Sequence, residues 1–225
     1  MSTLDIYELG TVPYKKALEY QENLLARRIA EEIPDSLILL EHPPTITTGR
    51  KGNTGNLLVR KEYLEKHGIS FIHASRGGDI TFHGPGQIVG YPILNLKNHE
   101  MDIRKHLRSI EEVIIRTLSD FGIEGKRIDG VTGVWVKRSK IASIGIAIRK
   151  WVTYHEFALN VSTNLDYFEL ILSCGITDVR ITSIGSWLGN EENVRMDDVT
   201  QSVIKNFMGV FSFEDFILRD EKEIN

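Results

Sequence analysis

The apolar positions of this 225-residue chain change period several times, and the changes predict its elements. After Pro13, the residues Tyr14, Leu18, Leu25 and Ile29 recur near helical spacing. Proline suits a first-turn position because its missing N–H has no partner there. Ser36 to Glu41 (SLILLE) reads as a buried strand; His42-Pro43-Pro44 breaks it, and Thr45 to Thr48 reads as the next strand, ended by Gly49. Residues 52–56 form a turn-rich loop, and a short helix is expected over Arg60 to His67. Strand-like stretches follow at Ile69 to His73, Asp79 to His83 and Ile88 to Leu96. Asp102 to Asp120 is the clearest helix: Asp102 can cap it, Ile103, Leu107, Ile110, Ile114 and Leu118 form one stripe, and Gly122 lies just past its end. Val131 to Val136, Lys140 to Ile148 and Trp151 to Val161 read as consecutive strands joined by tight basic turns. Thr163 to Leu172 and Asp197 to Met208 are expected to be helical, and the charged tail from Asp220 to fray. Strands come in runs rather than in strict alternation with helices, which predicts an α+β fold with a mixed or antiparallel sheet backed by helices.

Composition adds limits. Hydrophobic residues make up 41% and charged residues 26%, as in an ordinary soluble globular protein. The length suits a single domain over 1–225, and no compositional break marks a second. Lys and Arg number 27 against 31 Asp and Glu, a net of −4, which argues against a general nucleic-acid binder. No basic start leads into an apolar run, and no apolar stretch approaches the roughly 18 residues that cross a bilayer. A cytoplasmic protein without membrane association is therefore expected. There is one cysteine, Cys174, so no disulfide within the chain is possible and thiolate zinc sites are disfavoured. Composition alone makes Cys174 a small buried hydrophobe, the usual fate of a free cysteine.

The strongest local signal is residues 75–92, SRGGDITFHGPGQIVGYP, with five glycines and two prolines in eighteen residues. Glycines let backbone approach a ligand closely, and Arg76, His83 and Gln87 between them can hydrogen-bond. The stretch reads as a substrate-lining loop or, on composition alone, equally as a pair of hairpin turns. It is neither a Walker A loop nor a dinucleotide fingerprint.

Arg76-Gly77-Gly78-Asp79-Ile80-Thr81-Phe82-His83-Gly84-Pro85-Gly86-Gln87, followed by Tyr91-Pro92, closely resembles the signature of the lipoyl(octanoyl) transferases. Further motifs match in the same order: Glu41-His42-Pro43-Pro44, Thr48-Gly49-Arg50, Gly133-Val134-Trp135, Lys140-Ile141-Ala142-Ser143-Ile144-Gly145, His155 with Ala158-Leu159-Asn160-Val161, and Cys174-Gly175-Ile176. The match spans about residues 35–180, and an ordered set is far more specific than any one member.

The resemblance implies a fold like the catalytic core of biotin and lipoate protein ligases. It also implies an enzyme that moves an octanoyl group from acyl carrier protein to a lysine of lipoyl domains, those of 2-oxoacid dehydrogenase complexes and the glycine cleavage H protein. Cys174 falls on the family's nucleophile and Lys140 on its dyad partner. The implied chemistry passes through a Cys174 thioester and needs no ATP, cofactor or metal. By the same transfer, Arg76, Gly77, Gly78, Asp79, Ile80, Thr81, Phe82 and His83 line the acyl site, with Ser143, Ile144, Gly145, Glu156, Phe157 and Ala158. Phe82, Ile144 and Phe157 are the expected apolar walls. The oxyanion donors implied are backbone N–H groups near Cys174-Gly175 or Gly77-Gly78. His83 and His155 lack metal-ligand spacing and read as pocket-lining or structural.

Two positions depart from the family pattern. Glu156 stands where glycine is usual, and a carboxylate there costs desolvation energy unless it is paired or turned to water. Ser173 stands where proline commonly precedes the nucleophile. The acidic net charge also requires local basic patches for acidic partners. The candidates are Arg27-Arg28, Arg104-Lys105 with Arg108, Lys137-Arg138 and Arg149-Lys150, the last two pairs favoured because they flank the strand that starts at Lys140. Two alternatives remain at this level: an ATP-dependent lipoate or biotin ligase, and a silent binding protein for acyl groups or lipoyl domains.

Overall fold

The computed structural model describes residues 2–50, 52–172, 180–189 and 194–224. In chain order the elements are β1 (Thr3–Thr11), α1 (Tyr14–Ile29), β2 (Asp35–Glu41), β3 (Thr45–Thr48), α2 (Lys61–Lys66), β4 (Ser70–His73), β5 (Ile80–His83) and β6 (Gln87–Ile93). Then come α3 (Ile103–Asp120), β7 (Lys126–Ile128), β8 (Val131–Val136), β9 (Ser139–Arg149), β10 (Val152–Asn160), β11 (Arg180–Ile181), α4 (Ile184–Leu188), α5 (Met196–Phe211) and β12 (Asp215–Leu218).

Among the described residues a mixed sheet runs in the order β12-β1-β2-β6-β10-β9-β8-β7, with β11 also on β9. Its β12-β1-β2 end is parallel, and the ladders from β2 to β7 are antiparallel. A second sheet, β4-β3-β5, packs beside it. Helices cover both faces of the large sheet. Leu37 and Leu39 of β2 point into a core closed by Ile110, Val113, Ile114 and Leu118 of α3 and Val199, Val203 and Phe207 of α5. Ile38 and Leu40 of the same strand point the other way, onto Ala17, Leu24 and Leu25 of α1. A strand buried on both faces reads as an unbroken apolar run, which is why SLILLE shows no alternation. The side chain of Asp102 accepts from the N–H groups of Arg104 and Lys105 at 2.8 and 3.2 Å and starts α3, as capping predicts.

Two expectations change, and one strand is added. Residues 3–11 form an interior strand that period alone does not reveal, because polar Asp5 is buried in it with Arg219 Nε 3.0 Å from its carboxylate. The segment expected to be helical before Cys174 is a 3₁₀ stretch, Leu165–Leu170, capped by Asn164. The charged tail from Asp220, expected to fray, instead forms a 3₁₀ turn, Glu221–Glu223, and buries Ile224 in the core that α1 closes. Among the described residues no helix is long and apolar enough to cross a membrane.

Candidate active site

The motif-bearing strands converge on one cavity of about 680 Å³. Ile80, Thr81 and His83 of β5, Ser143 to Ile146 of β9, and Glu156 and Ala158 of β10 line it, together with Arg76 to Asp79 and Lys140. Lining residues without a motif signal are Ile103 and Leu107 of α3, Gly130, Val131 and Thr132 around the start of β8, and Ile181 of β11. Ile103 belongs to the α3 stripe, yet it is 46% exposed, so the first turn of that stripe serves the cavity rim and not the core.

Phe82 and Phe157 sit elsewhere. Phe82 stacks on Tyr167 at 4.6 Å and meets Phe168 edge-on in the core beneath the small sheet. Phe157 is fully buried in the main core, above Gly90, where an added Cβ would lie 2.2 Å from its ring. Side chains alternate along a strand, so Phe82 and Phe157 turn away from the cavity that Thr81, His83, Glu156 and Ala158 face. The apolar lining comes instead from Ile80, Leu107, Val131, Ile144, Ile146, Ala158 and Ile181.

Lys140 faces the cavity through a break in alternation. Ser143 opposes Ala158 across the β9–β10 ladder and shares its cavity-facing side, whereas Ala142 opposes Leu159 and shares the core side. Strict period two would place Lys140 with Ala142, in the core. The β8–β9 register shifts between Val134↔Ala142 and Trp135↔Lys140, so Ile141 is an extra residue, a β-bulge. Ile141 and Ala142 consequently both join the core, and Lys140 turns to the cavity. Its backbone is held on the other edge by β11, with Ile181 opposite it and the Thr182 N–H donating to Lys140 O at 2.9 Å. The Nζ lies 5.8 Å from the centroid of the Trp135 ring, within cation–π range. Lys140 is 4% exposed.

Glu156 is paired, not turned to water. Its Oε1 lies 3.3 Å from Arg76 Nε and 3.6 Å from His83 Nε2, and its Oε2 lies 3.5 Å from His155 Nδ1. The Tyr14 hydroxyl donates to Oε2 at 3.4 Å. Burial pushes this carboxyl up, but His155 and His83 outweigh it and hold it well below the usual carboxylate range. Arg76 is itself fastened: Nε and Nη2 donate to Thr47 Oγ1 at 3.1 and 2.9 Å, Nη2 to Thr47 O at 2.7 Å, and Nη1 to Gly77 O at 3.0 Å. Thr47 carried no signal of this role in the sequence.

A directional hydrogen-bond chain orients His83. The Asn160 Nδ2 donates to Thr182 O, so its Oδ1 accepts from Gln87 Nε2 at 2.8 Å. Gln87 Oε1 then accepts from His83 Nδ1 at 2.9 Å, which leaves Nε2 facing Thr47 and Glu156. Behind it His42 donates from Nδ1 to Val12 O and accepts the Tyr91 hydroxyl at Nε2, both at 2.6 Å. Burial, aided by His83, lowers the His42 pKa to about 4, so the ring is neutral. His155 is structural: it adopts φ 69°, its N–H donates to Gln21 Oε1, and its Nε2 lies 2.8 Å from Ser75 Oγ. Asp79 clamps the loop before α2, accepting from Asn53 N–H and from Asn56 Nδ2.

Cys174, Ser173 and Gly175 lie outside the described residues. Both flanks are tied to cavity residues. The N–H of Leu172 donates to the carbonyl of Asn56, whose side chain bonds Asp79, and Arg180-Ile181 pair with Ser139-Lys140. The N–H of Gly77 donates to Ile146 O at 3.1 Å, which removes it as an oxyanion donor. Among the described residues no group of three or more His, Cys, Asp or Glu is arranged to hold a metal ion.

This fold and cavity define the catalytic domain of the lipoyl protein ligase A/B class, whose family model matches residues 13–208. Lipoate-protein ligase A bound with ATP superposes with a TM-score of 0.81 at 21% identity, covering 99% of this chain and 90% of the other. A biotin protein ligase from Aquifex aeolicus shares the fold at a TM-score of 0.52 and 12% identity, over 94% and 70%. Within the class the nearer likeness is to octanoyltransferases. Those of Solibacter usitatus and Caldicellulosiruptor bescii are 48% and 47% identical over 207 and 221 residues, covering 92% of both chains and 97% and 96% respectively. The chain belongs to the octanoyltransferase family.

Proposed function

We propose that this enzyme transfers an octanoyl group from acyl carrier protein to a lysine of lipoyl domains through a thioester on Cys174, with Lys140 as its proton-exchange partner. The observation that carries the reading is the bulge that turns Lys140 into the motif-lined cavity beside β11. The motif cysteine lies six residues before β11 in the chain.

A free thiol has a pKa of about 8.5, so a neighbouring ammonium raises its thiolate fraction at neutral pH. The Cys174 thiolate attacks the thioester carbonyl of the donor. The tetrahedral adduct collapses, the C–S bond to the carrier breaks, and the carrier sulfur takes the proton that Cys174 gave up. The acceptor lysine amine then attacks the acyl-enzyme, the Cys174–acyl bond breaks, and an amide forms while the proton lost from the amine returns to the dyad. The first exchange is nearly balanced and the second runs downhill, so ATP is not needed. The acceptors fitting this chemistry are lipoyl domains of 2-oxoacid dehydrogenase complexes and the glycine cleavage H protein.

Lys137-Arg138, in the β8–β9 turn, stand at the Lys140 end of β9, where an acidic carrier would deliver its thioester. Arg149-Lys150 close the other end, roughly 30 Å away at about 3.3 Å per residue. The reading therefore favours Lys137-Arg138 as the docking pair.

Intact mass measurement after mixing with octanoyl-acyl carrier protein tests the reading. An octanoyl adduct without ATP, absent in Cys174→Ala, is expected. No adduct at any pH from 6 to 9, or one that needs ATP and free acid, overturns it.

A further inference from the structure

The irregular β8–β9 ladder that turns Lys140 to the cavity has an anchor outside the sheet. Gly133, next to the register shift, adopts φ +132°, a conformation that favours glycine. The Lys140 side chain lies across it: a Cβ on Gly133 would stand 2.7 Å from Ala142 O, 2.8 Å from Lys140 Cε and 3.4 Å from Lys140 Nζ. Gly133 is thus the seat of the amine. Its N–H donates to Glu111 Oε1 on α3, at 3.1 Å.

Glu111 is 1% exposed, and Ile110 and Ile114 beside it pack in the main core, which holds the helix in place. Its other oxygen accepts from Arg108 Nη1 at 2.7 Å and Arg127 Nε at 3.1 Å. Donors therefore converge on both oxygens. A glutamine has one acceptor end and one donor end, so in either orientation its NH₂ would meet another N–H. The neighbouring Glu112 accepts from a different nitrogen of Arg127, Nη2 donating to its Oε2 at 2.8 Å, and makes no bond to Gly133.

We infer that Glu111 is a positioning residue for the transfer reaction: it fixes Gly133 so that Lys140 is presented to the nucleophile. The inference rests on the reading of Lys140 as half of the dyad. A bulge disrupts the ladder locally, and here the N–H of a residue beside it donates to a helix carboxylate. α3 thereby sets both the rim of the cavity, through Ile103 and Leu107, and the seat of its amine.

The test is the pH dependence of iodoacetamide alkylation of the full chain, whose only cysteine is Cys174. Lys140→Ala sets the shift produced by loss of the cation. Glu111→Gln is expected to move the inflection upward toward Lys140→Ala, with about tenfold slower alkylation at pH 7, as about one unit of thiol pKa implies. In turnover its kcat falls while KM for the donor holds. Glu112→Gln should follow the wild type. Gly133→Ala keeps the Glu111 carboxylate but occupies the seat, and should reproduce the shift if Glu111→Gln fails to fold. A Glu111→Gln or Gly133→Ala profile equal to wild type, with Lys140→Ala shifted, overturns the positioning role and leaves the dyad standing. A Lys140→Ala profile equal to wild type overturns both.

Discussion

Arg76 Nε stands 3.3 Å from Glu156 Oε1, with the two side chains 5% and 3% exposed. Removing one member of such a buried pair leaves the other uncompensated, at a cost of about 3–5 kcal/mol. Glu156→Ala and Arg76→Ala are each expected to destabilise by about 3 kcal/mol. The double variant should fall short of the sum by about 1–3 kcal/mol, because the second deletion removes a charge already orphaned. Urea unfolding of the four proteins measures the coupling, and strict additivity would mean that the pair does not act as a unit.

Acyl-length selection should follow the cavity lining. Ala158→Leu intrudes on the cavity and is expected to move the preference toward shorter acyl groups. Phe82→Leu and Phe157→Leu should lower stability by about 1–2 kcal/mol through lost packing and leave the length profile unchanged. A donor series of six to twelve carbons separates the two effects.

Acid stability should decline before carboxylates titrate. Burial lowers the His42 and His106 pKa values from 6.5 to about 4, aided at His42 by His83 and at His106 by His99. Between those values the unfolded chain binds protons that the folded chain refuses, so this stability is complete above pH 6.5 and lost as pH falls toward 4. Each histidine contributes at most about 3 kcal/mol. Neither ring nitrogen of His106 has a hydrogen-bond partner among the described residues, so His106→Leu should flatten the acid limb by about one proton without loss at pH 7. Unfolding free energies at pH 7, 6 and 5 give the slope.

Charge reversal should discriminate the basic turns. Lys137→Glu with Arg138→Glu is expected to raise the donor KM about tenfold at low salt, an effect that shrinks toward 0.5 M salt. The same reversal at Arg149-Lys150, at the far end of β9, should leave KM near wild type. Initial rates across ionic strength decide it, and equal effects at both turns would remove the case for docking at the Lys140 end.

Much of the frame was legible along the chain because it is written in short-range patterns. Asp102 announced the start of α3, and the unbroken SLILLE run announced a strand covered on both faces. What escaped depends on distant partners. β1 hides a buried Asp5 that needs Arg219, more than two hundred residues later. Thr47 becomes the platform for Arg76 only when β3 lies against β5. Phe82 and Phe157 share motifs with cavity residues, but alternation sends them to opposite sides of their sheets.

By itself the sequence determined which residues were available and in what order: the RGGDITFHGPGQ stretch, the KIASIG strand, and one cysteine in 225 residues. The tertiary structure decided which way Lys140 faces. Local alternation assigns it to the core with Ala142. A one-residue slip at Ile141 reverses that assignment, beside a glycine held by a helix carboxylate. A bulge arises from strand pairing and long-range hydrogen bonds, and neither leaves a periodic trace in the chain that carries it.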